Sequence, residues 1–209
     1  MDYIAEYNRW LANATADEDI IAELKAMNEA QIEDAFYRNL AFGTGGLRGT
    51  IGAGTNRMNV HTVAKASQGL ANYLVKHFDA PSVAIGYDSR IKSDVFAKVA
   101  ASVFAANGVK VHLWPQLMPA PTVSFATRYL KTCAGVMITA SHNPSKYNGY
   151  KVYGPDGCQI TTEAAAEILA EIEKLDIFAD VKPGDFDKAA AVSSEACQVP
   201  LCACVYACV

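Results

Sequence analysis

Two hydrophobic periods divide the chain. Helical spacing comes first: between Asp17 and about Leu40, the residues Ile20, Ile21, Leu24, Met27, Ile32, Ala35 and Phe36 fall near one face, with a break expected around Asn28. Val63, Ala66, Leu70 and Leu74 form a second stripe and predict a helix over 60–78. Phe96, Val99, Ala100 and Val103 form a third over 93–107, with Ser93 as its cap and Gly108 as its stop. Short apolar runs at 82–87, 109–113, 135–139 and 151–153 read as strands. A short helix is expected at about 122–130, and a last one starts at Thr161 or Thr162 and reaches about Leu175. Six glycines within 43–54 predict a loop that brings backbone close to something. Pro183-Gly184-Asp185 reads as a linker. Strands that alternate with helices predict a layered α/β domain with a largely parallel sheet.

Composition narrows the classes. At 209 residues the chain is long enough for one α/β domain with appendages. The net charge of −4, with no basic stripe, argues against a nucleic-acid partner. Residues 1–34 carry nine acidic side chains against two basic ones, which predicts a helical arm with a solvated face. The start, Met1-Asp2-Tyr3-Ile4-Ala5-Glu6, lacks the basic and apolar regions of a signal peptide. No apolar run approaches the roughly 20 residues of a membrane helix. The expectation is a cytoplasmic protein without a membrane partner. Cys133 and Cys158 are scattered, whereas Cys197, Cys202, Cys204 and Cys208 crowd the end. Their spacing matches no usual zinc site, and Tyr206 stands where a prenylated cysteine would be. Residues 191–209 are expected to be a cysteine-rich tail foreign to the fold.

Candidate chemistry gathers where one apolar strand ends. Val136, Met137 and Ile138 lead into Thr139-Ala140-Ser141-His142-Asn143-Pro144-Ser145-Lys146-Tyr147-Asn148-Gly149. Ligands of open α/β sheets collect outside the carboxyl ends of strands. Ser141 lacks the Gly-x-Ser-x-Gly setting of an acyl-transfer elbow. A serine that carries a phosphate is a different case, and needs cations and amides to hold a group of about −2 charge. Arg48, His142 and Lys151 are the available cations. His142 suits proton transfer or donation to a phosphate. Lys151, on a strand, is a candidate for proton transfer if partly buried. Arg48 stands in the glycine-rich segment, which is neither a Walker loop nor a complete dinucleotide fingerprint. Asp88-Ser89-Arg90 ends another strand, where Arg90 either orients the serine loop or forms a structural pair with Asp88. Each of these residues also has a plainer reading: a serine in a strand-end turn, a loop histidine, a surface lysine, a plain Gly-rich connection.

Thr-Ala-Ser-His-Asn-Pro resembles the phosphoserine loop of the α-D-phosphohexomutases, the phosphoglucomutase and phosphomannomutase family. Gly43-Thr44-Gly45-Gly46-Leu47-Arg48-Gly49 resembles that family's glycine-rich arginine loop, and Asn148-Gly149-Tyr150-Lys151-Val152-Tyr153 its following strand. The three strings stand in the family's order. The resemblance covers roughly residues 1–190 and only the first of the family's domains. It implies a three-layer α/β/α sandwich with a mixed, largely parallel sheet, preceded by a helical N-terminal arm. It implies an arm at 1–42, a phosphoserine domain at 43–190 and the tail beyond. It implies catalytic roles for Ser141, His142, Lys151 and Arg48, and phosphate or loop support from Gly45, Gly46, Asn143 and Arg90. Ser141 would donate its phosphate to a sugar monophosphate and recover it from the bisphosphate. Mg²⁺ would bind partly through the Ser141 phosphate, but the family's Asp-rich metal loop and its sugar-reading loops are not found in this sequence. The expectation is therefore a mutase fragment that is inactive alone; the alternative is a non-catalytic phosphate-binding or interaction module.

Overall fold

The computed structural model describes residues 2–182 and 184. Three helices come first: α1 (Tyr3–Asn13), α2 (Glu18–Ala26) and α3 (Glu29–Phe36). The break expected near Asn28 is real, and Asn28 causes it. Its side chain caps α3 in a reciprocal capping box with Gln31. The arm is only partly solvated. Glu18, Glu29 and Glu33 face outward, but Trp10, Ile20, Leu24, Ile32, Ala35 and Phe36 join the main core. Trp10 packs edge-on against Phe36, His61 and Phe178 at 5.3–5.6 Å centroid distances across this cluster. Acidic composition marks one face of such helices and says nothing of the other.

The remaining elements are β1 (Phe42–Gly43), β2 (Gly46–Thr50), α4 (Val60–His77), β3 (Ser82–Tyr87), α5 (Ser93–Ala106), β4 (Lys110–Leu113), α6 (Ala120–Tyr129), β5 (Ala134–Ile138), β6 (Tyr147–Tyr153) and α7 (Thr162–Glu173). They build one six-stranded sheet in the order β1-β2-β6-β5-β3-β4. Strand residues alternate between two helical layers. Val83, Ile85, Val136, Ile138, Tyr150 and Val152 point into the large core with α4, α5 and α7. Ala84, Met137 and Tyr153 point the other way, toward the side that α6 covers. This is the expected three-layer α/β/α sandwich. Its sheet is mixed but not largely parallel as expected: β5-β3-β4 pair in parallel, as strands joined by crossover helices do, while β1-β2-β6-β5 pair antiparallel.

Two local expectations are corrected. The glycine-rich segment opens as a β-hairpin rather than a loop, because β2 finds a partner in β6. Ser93 does not cap α5. The cap position is Lys92, held left-handed at φ 59°, while the buried Ser93 hydroxyl donates to Asp88 Oδ1 at 2.9 Å. The predicted cap at Thr161 is present. Apart from Gly184, the linker falls on residues outside those described, as does the whole cysteine-rich tail.

Candidate active site

Ser141 is the residue at which the chain leaving β5 turns away from the sheet. Its φ is 55°, a left-handed backbone that costs a non-glycine residue roughly 1–2 kcal/mol. Local hydrogen bonds hold it there. Its amide donates to Thr139 Oγ1 at 2.9 Å, and its carbonyl accepts from the Arg90 guanidinium. Arg90 also donates to the carbonyls of Asn143 (2.7 Å), Pro144 (3.2 Å) and Tyr147 (3.2 Å). One planar guanidinium thus gathers the whole loop, which suits its rigid fork of donors. Both readings of the Asp88–Arg90 pair are satisfied, since Arg90 Nε also lies 3.5 Å from Asp88 Oδ2.

β6 brings Lys151 to the serine. Lys151 pairs with Met137 across the ladder, so its side chain rises beside the end of β5. The half-buried Lys151 donates from its ammonium to Ser141 Oγ at 2.7 Å. β2 brings Arg48, in register with Gly149, and Arg48 donates to Asn143 Oδ1 at 3.0 Å. This arrangement demands glycine at 46. Its φ is 85°, and a Cβ there would sit 1.8 Å from the Tyr150 carbonyl oxygen. Close contact between the hairpin and β6 leaves Arg48 and the Thr44-Gly45 tip lining the same cleft as the serine.

Ser141, His142, Arg48, Lys151, Gly45 and Gly46 therefore line one cleft of about 550 Å³. His142 is exposed on its rim. Asn143 lies behind the serine and, with Arg90, lines a neighbouring depression. Sequence reasoning missed Thr139 and Gln159. Thr139 bonds the Ser141 amide, and its hydroxyl lies at the two-residue spacing of a side-chain turn. Gln159 lines the cleft with no motif to mark it. Asn148, fully buried, donates to the Ile91 carbonyl and to Ser93 Oγ at 3.0 Å each, which ties β6 to the segment carrying Arg90.

The cleft suits an anion. Arg48 and Lys151 enter it, and no described carboxylate lines it. A phosphoserine dianion would find charge-assisted donors on two sides. A hard dication would not find a cage. Among the described residues no three His, Cys, Asp or Glu side chains gather to hold a metal ion. Since Mg²⁺ prefers several oxygen ligands, these residues do not fit it by themselves. No described helix is long and apolar enough to cross a membrane.

Comparison with known proteins agrees with this geometry. Residues 39–177 match the family profile described as "Phosphoglucomutase/phosphomannomutase, alpha/beta/alpha domain I". A phosphoglucomutase of Staphylococcus epidermidis is 41% identical over 169 residues, covering 80% of this chain and 31% of the relative. A Schizosaccharomyces pombe protein assigned as a phosphoribomutase is 42% identical over 176 residues, covering 83% of this chain and 30% of its own. A solved structure assigned as a phosphomannomutase of Thermus thermophilus superposes with a TM-score of 0.63 at 32% identity, covering 71% of this chain and 32% of that one. The chain thus spans about a third of the length of the relatives it matches.

Proposed function

The chain belongs to the phosphoglucomutase/phosphomannomutase family, and from that premise we propose that it supplies the phosphate-carrying domain of a sugar-phosphate mutase. Ser141 carries the phosphoryl group. It passes that group to a hydroxyl of a sugar monophosphate and takes a phosphoryl group back from the resulting bisphosphate, so the two sugar phosphates interconvert. The observation that carries this reading is the 2.7 Å contact from Lys151 Nζ to Ser141 Oγ.

When the phosphoserine O–P bond breaks, negative charge develops on Oγ. A donor already in hydrogen-bond contact stabilises that charge without rearrangement and hands its proton to the oxygen, while the attacking sugar hydroxyl gives up its own proton to His142 on the rim or to solvent. The reverse transfer returns the proton to Lys151 as the new O–P bond forms. Arg48, released from Asn143, is placed to hold the equatorial phosphoryl oxygens, where the charge of the loose transition state spreads. His142, on the rim, faces the side from which a sugar enters. Arg90 and Asn143 shape the loop, and the Thr44-Gly45 tip brings backbone close to the phosphate. Mg²⁺ is proposed for the complete enzyme, with the Ser141 phosphate as the one ligand from these residues. Membership of a mutase family disfavours a module that binds phosphate without turnover.

A chimera tests the proposal. Residues 1–182 replace the matching segment of the Staphylococcus epidermidis phosphoglucomutase. Interconversion of glucose 1-phosphate and glucose 6-phosphate is expected, with loss to background in Ser141→Ala. A folded chimera without turnover, or turnover that survives Ser141→Ala, overturns the reading.

A further inference from the structure

The left-handed turn at Ser141 is imposed from behind, by a hydrogen-bond chain that ends on Asp88. Ser141 N–H donates to Thr139 Oγ1 at 2.9 Å, and the Thr139 hydroxyl donates to Asp88 Oδ2 at 2.5 Å. Asp88 Oδ1 accepts from Ser93 Oγ at 2.9 Å and from the Arg90 amide at 3.0 Å. Ser93 Oγ in turn accepts from Asn148 Nδ2. Thr139 is 4% exposed and Ser93 is fully buried, while the Asp88 side chain keeps 24% of its surface in contact with solvent, so the bonds are sheltered at Thr139 and Ser93 and open at the carboxylate.

The chain has one polarity. An ionised carboxylate only accepts, so Asp88 forces the Thr139 hydroxyl to point its hydrogen inward. The lone pair of that hydroxyl is then left for the Ser141 amide. Arg90, drawn to the same carboxylate, takes the Ser141 carbonyl from the other side. Both backbone groups of Ser141 are therefore fixed by Asp88, one through Thr139 and one through Arg90. With its backbone held at φ 55°, Ser141 has its hydroxyl at Lys151 rather than continuing the line of the strand.

We propose that Thr139 and Asp88 are positioning residues that hold Ser141 left-handed and aim its hydroxyl at Lys151. Their value to catalysis rests on the reading of Ser141 as the phosphate carrier, but their effect on geometry does not.

Nuclear magnetic resonance on the 209-residue chain separates the two. Thr139→Val keeps the shape and removes the hydroxyl, whereas Thr139→Ser restores it. In Thr139→Val the Ser141 amide should exchange about tenfold faster, as expected for one lost hydrogen bond. The Lys151 side-chain resonances should move toward those of a solvated lysine. Thr139→Ser should stay near the parent chain in both. Asp88→Asn, approached from the other end of the chain, should reproduce Thr139→Val. The amides of Val136 and Ile138 report general loosening and should not change. Unchanged Ser141 and Lys151 signals in Thr139→Val, or a Thr139→Ser chain that behaves like Thr139→Val, overturn the proposal. So does equal acceleration along β5. Failure of the chimera to turn over, with these signals behaving as stated, would refute the functional reading and leave the positioning role standing.

Discussion

Arg90→Ala should loosen the serine loop by a predictable amount. The guanidinium, with a side chain 15% exposed, donates to four carbonyls, those of Ser141, Asn143, Pro144 and Tyr147. Ser141 and Pro144 are exposed, so water replaces Arg90 there at little net cost. The half-buried carbonyls of Asn143 and Tyr147 are less easily hydrated. A hydrogen bond from a charged donor is worth about 1.5–3 kcal/mol, so losing these two costs about 3–6 kcal/mol. Thr139 still holds the Ser141 amide at 2.9 Å, so the left-handed backbone persists and offsets none of this. The destabilisation is therefore about 3 kcal/mol or more. Arg90→Lys keeps the charge but not the fork, and should fall near half that value. Urea unfolding gives the global figure from the midpoint at constant slope. Trypsin cleavage after the exposed Lys146 gives the local one, and should speed in Arg90→Ala before global unfolding begins. An Arg90→Ala chain within about 0.5 kcal/mol of the parent, with no faster cleavage after Lys146, would refute the idea that one guanidinium organises this loop.

Three further outcomes follow from the same geometry. Lys92 Nζ lies 2.8 Å from both Asp17 and Asp19, and this clamp holds the arm to the domain. Burial alone would raise the Asp17 carboxyl, but the Lys92 ammonium outweighs it and holds the carboxyl below its ordinary value of 3.8; the same contacts raise Lys92 above 10.5 against its own desolvation. A carboxyl lowered in the folded state stabilises above its unfolded pKa and loses that contribution as acid protonates it. Asp17→Asn should therefore flatten the acid limb of thermal stability below about pH 4 and leave its slope at neutral pH unchanged. Gly46→Ala should destabilise the chain by more than about 2 kcal/mol in urea unfolding, because strain at φ 85° adds to a clash with the Tyr150 carbonyl oxygen. In a coupled assay with glucose 1-phosphate, Mg²⁺ and a bisphosphate primer, the 209-residue chain alone should show only background, since its described residues gather no metal cage.

The sequence made some of this legible and hid the rest for physical reasons. Periodic apolar stripes marked α4 and α5 to within a residue or two, because burial on one face writes itself into spacing. The Gly43–Gly46 hairpin was hidden, since its pairing depends on β6, about a hundred positions away. The glycine at 46 reflects close contact with Tyr150 rather than looseness. The Ser93 cap failed because a buried hydroxyl was already committed to Asp88. At the site, the motifs named Arg48, Ser141, His142 and Lys151, and the structure brings them to one cleft. The motifs contained Thr139 and flanked it with Asp88-Ser89-Arg90 at a neighbouring strand end, but gave neither Thr139 nor Asp88 a role in holding Ser141. Thr139 and Asp88 look like strand-end residues until the fold shows what their oxygens hold.

The central claim is that Ser141 carries the phosphoryl group, and the most direct measurement is where that group sits. The chimera is exposed to glucose 1,6-bisphosphate, quenched in acid and mapped by tandem mass spectrometry. A single phosphoryl group on Ser141 is predicted, absent in Ser141→Ala and reduced in Lys151→Met, where the 2.7 Å donor to Oγ is gone. A phosphoryl group on any other residue, or none on Ser141 in a chimera that turns over, would contradict the account.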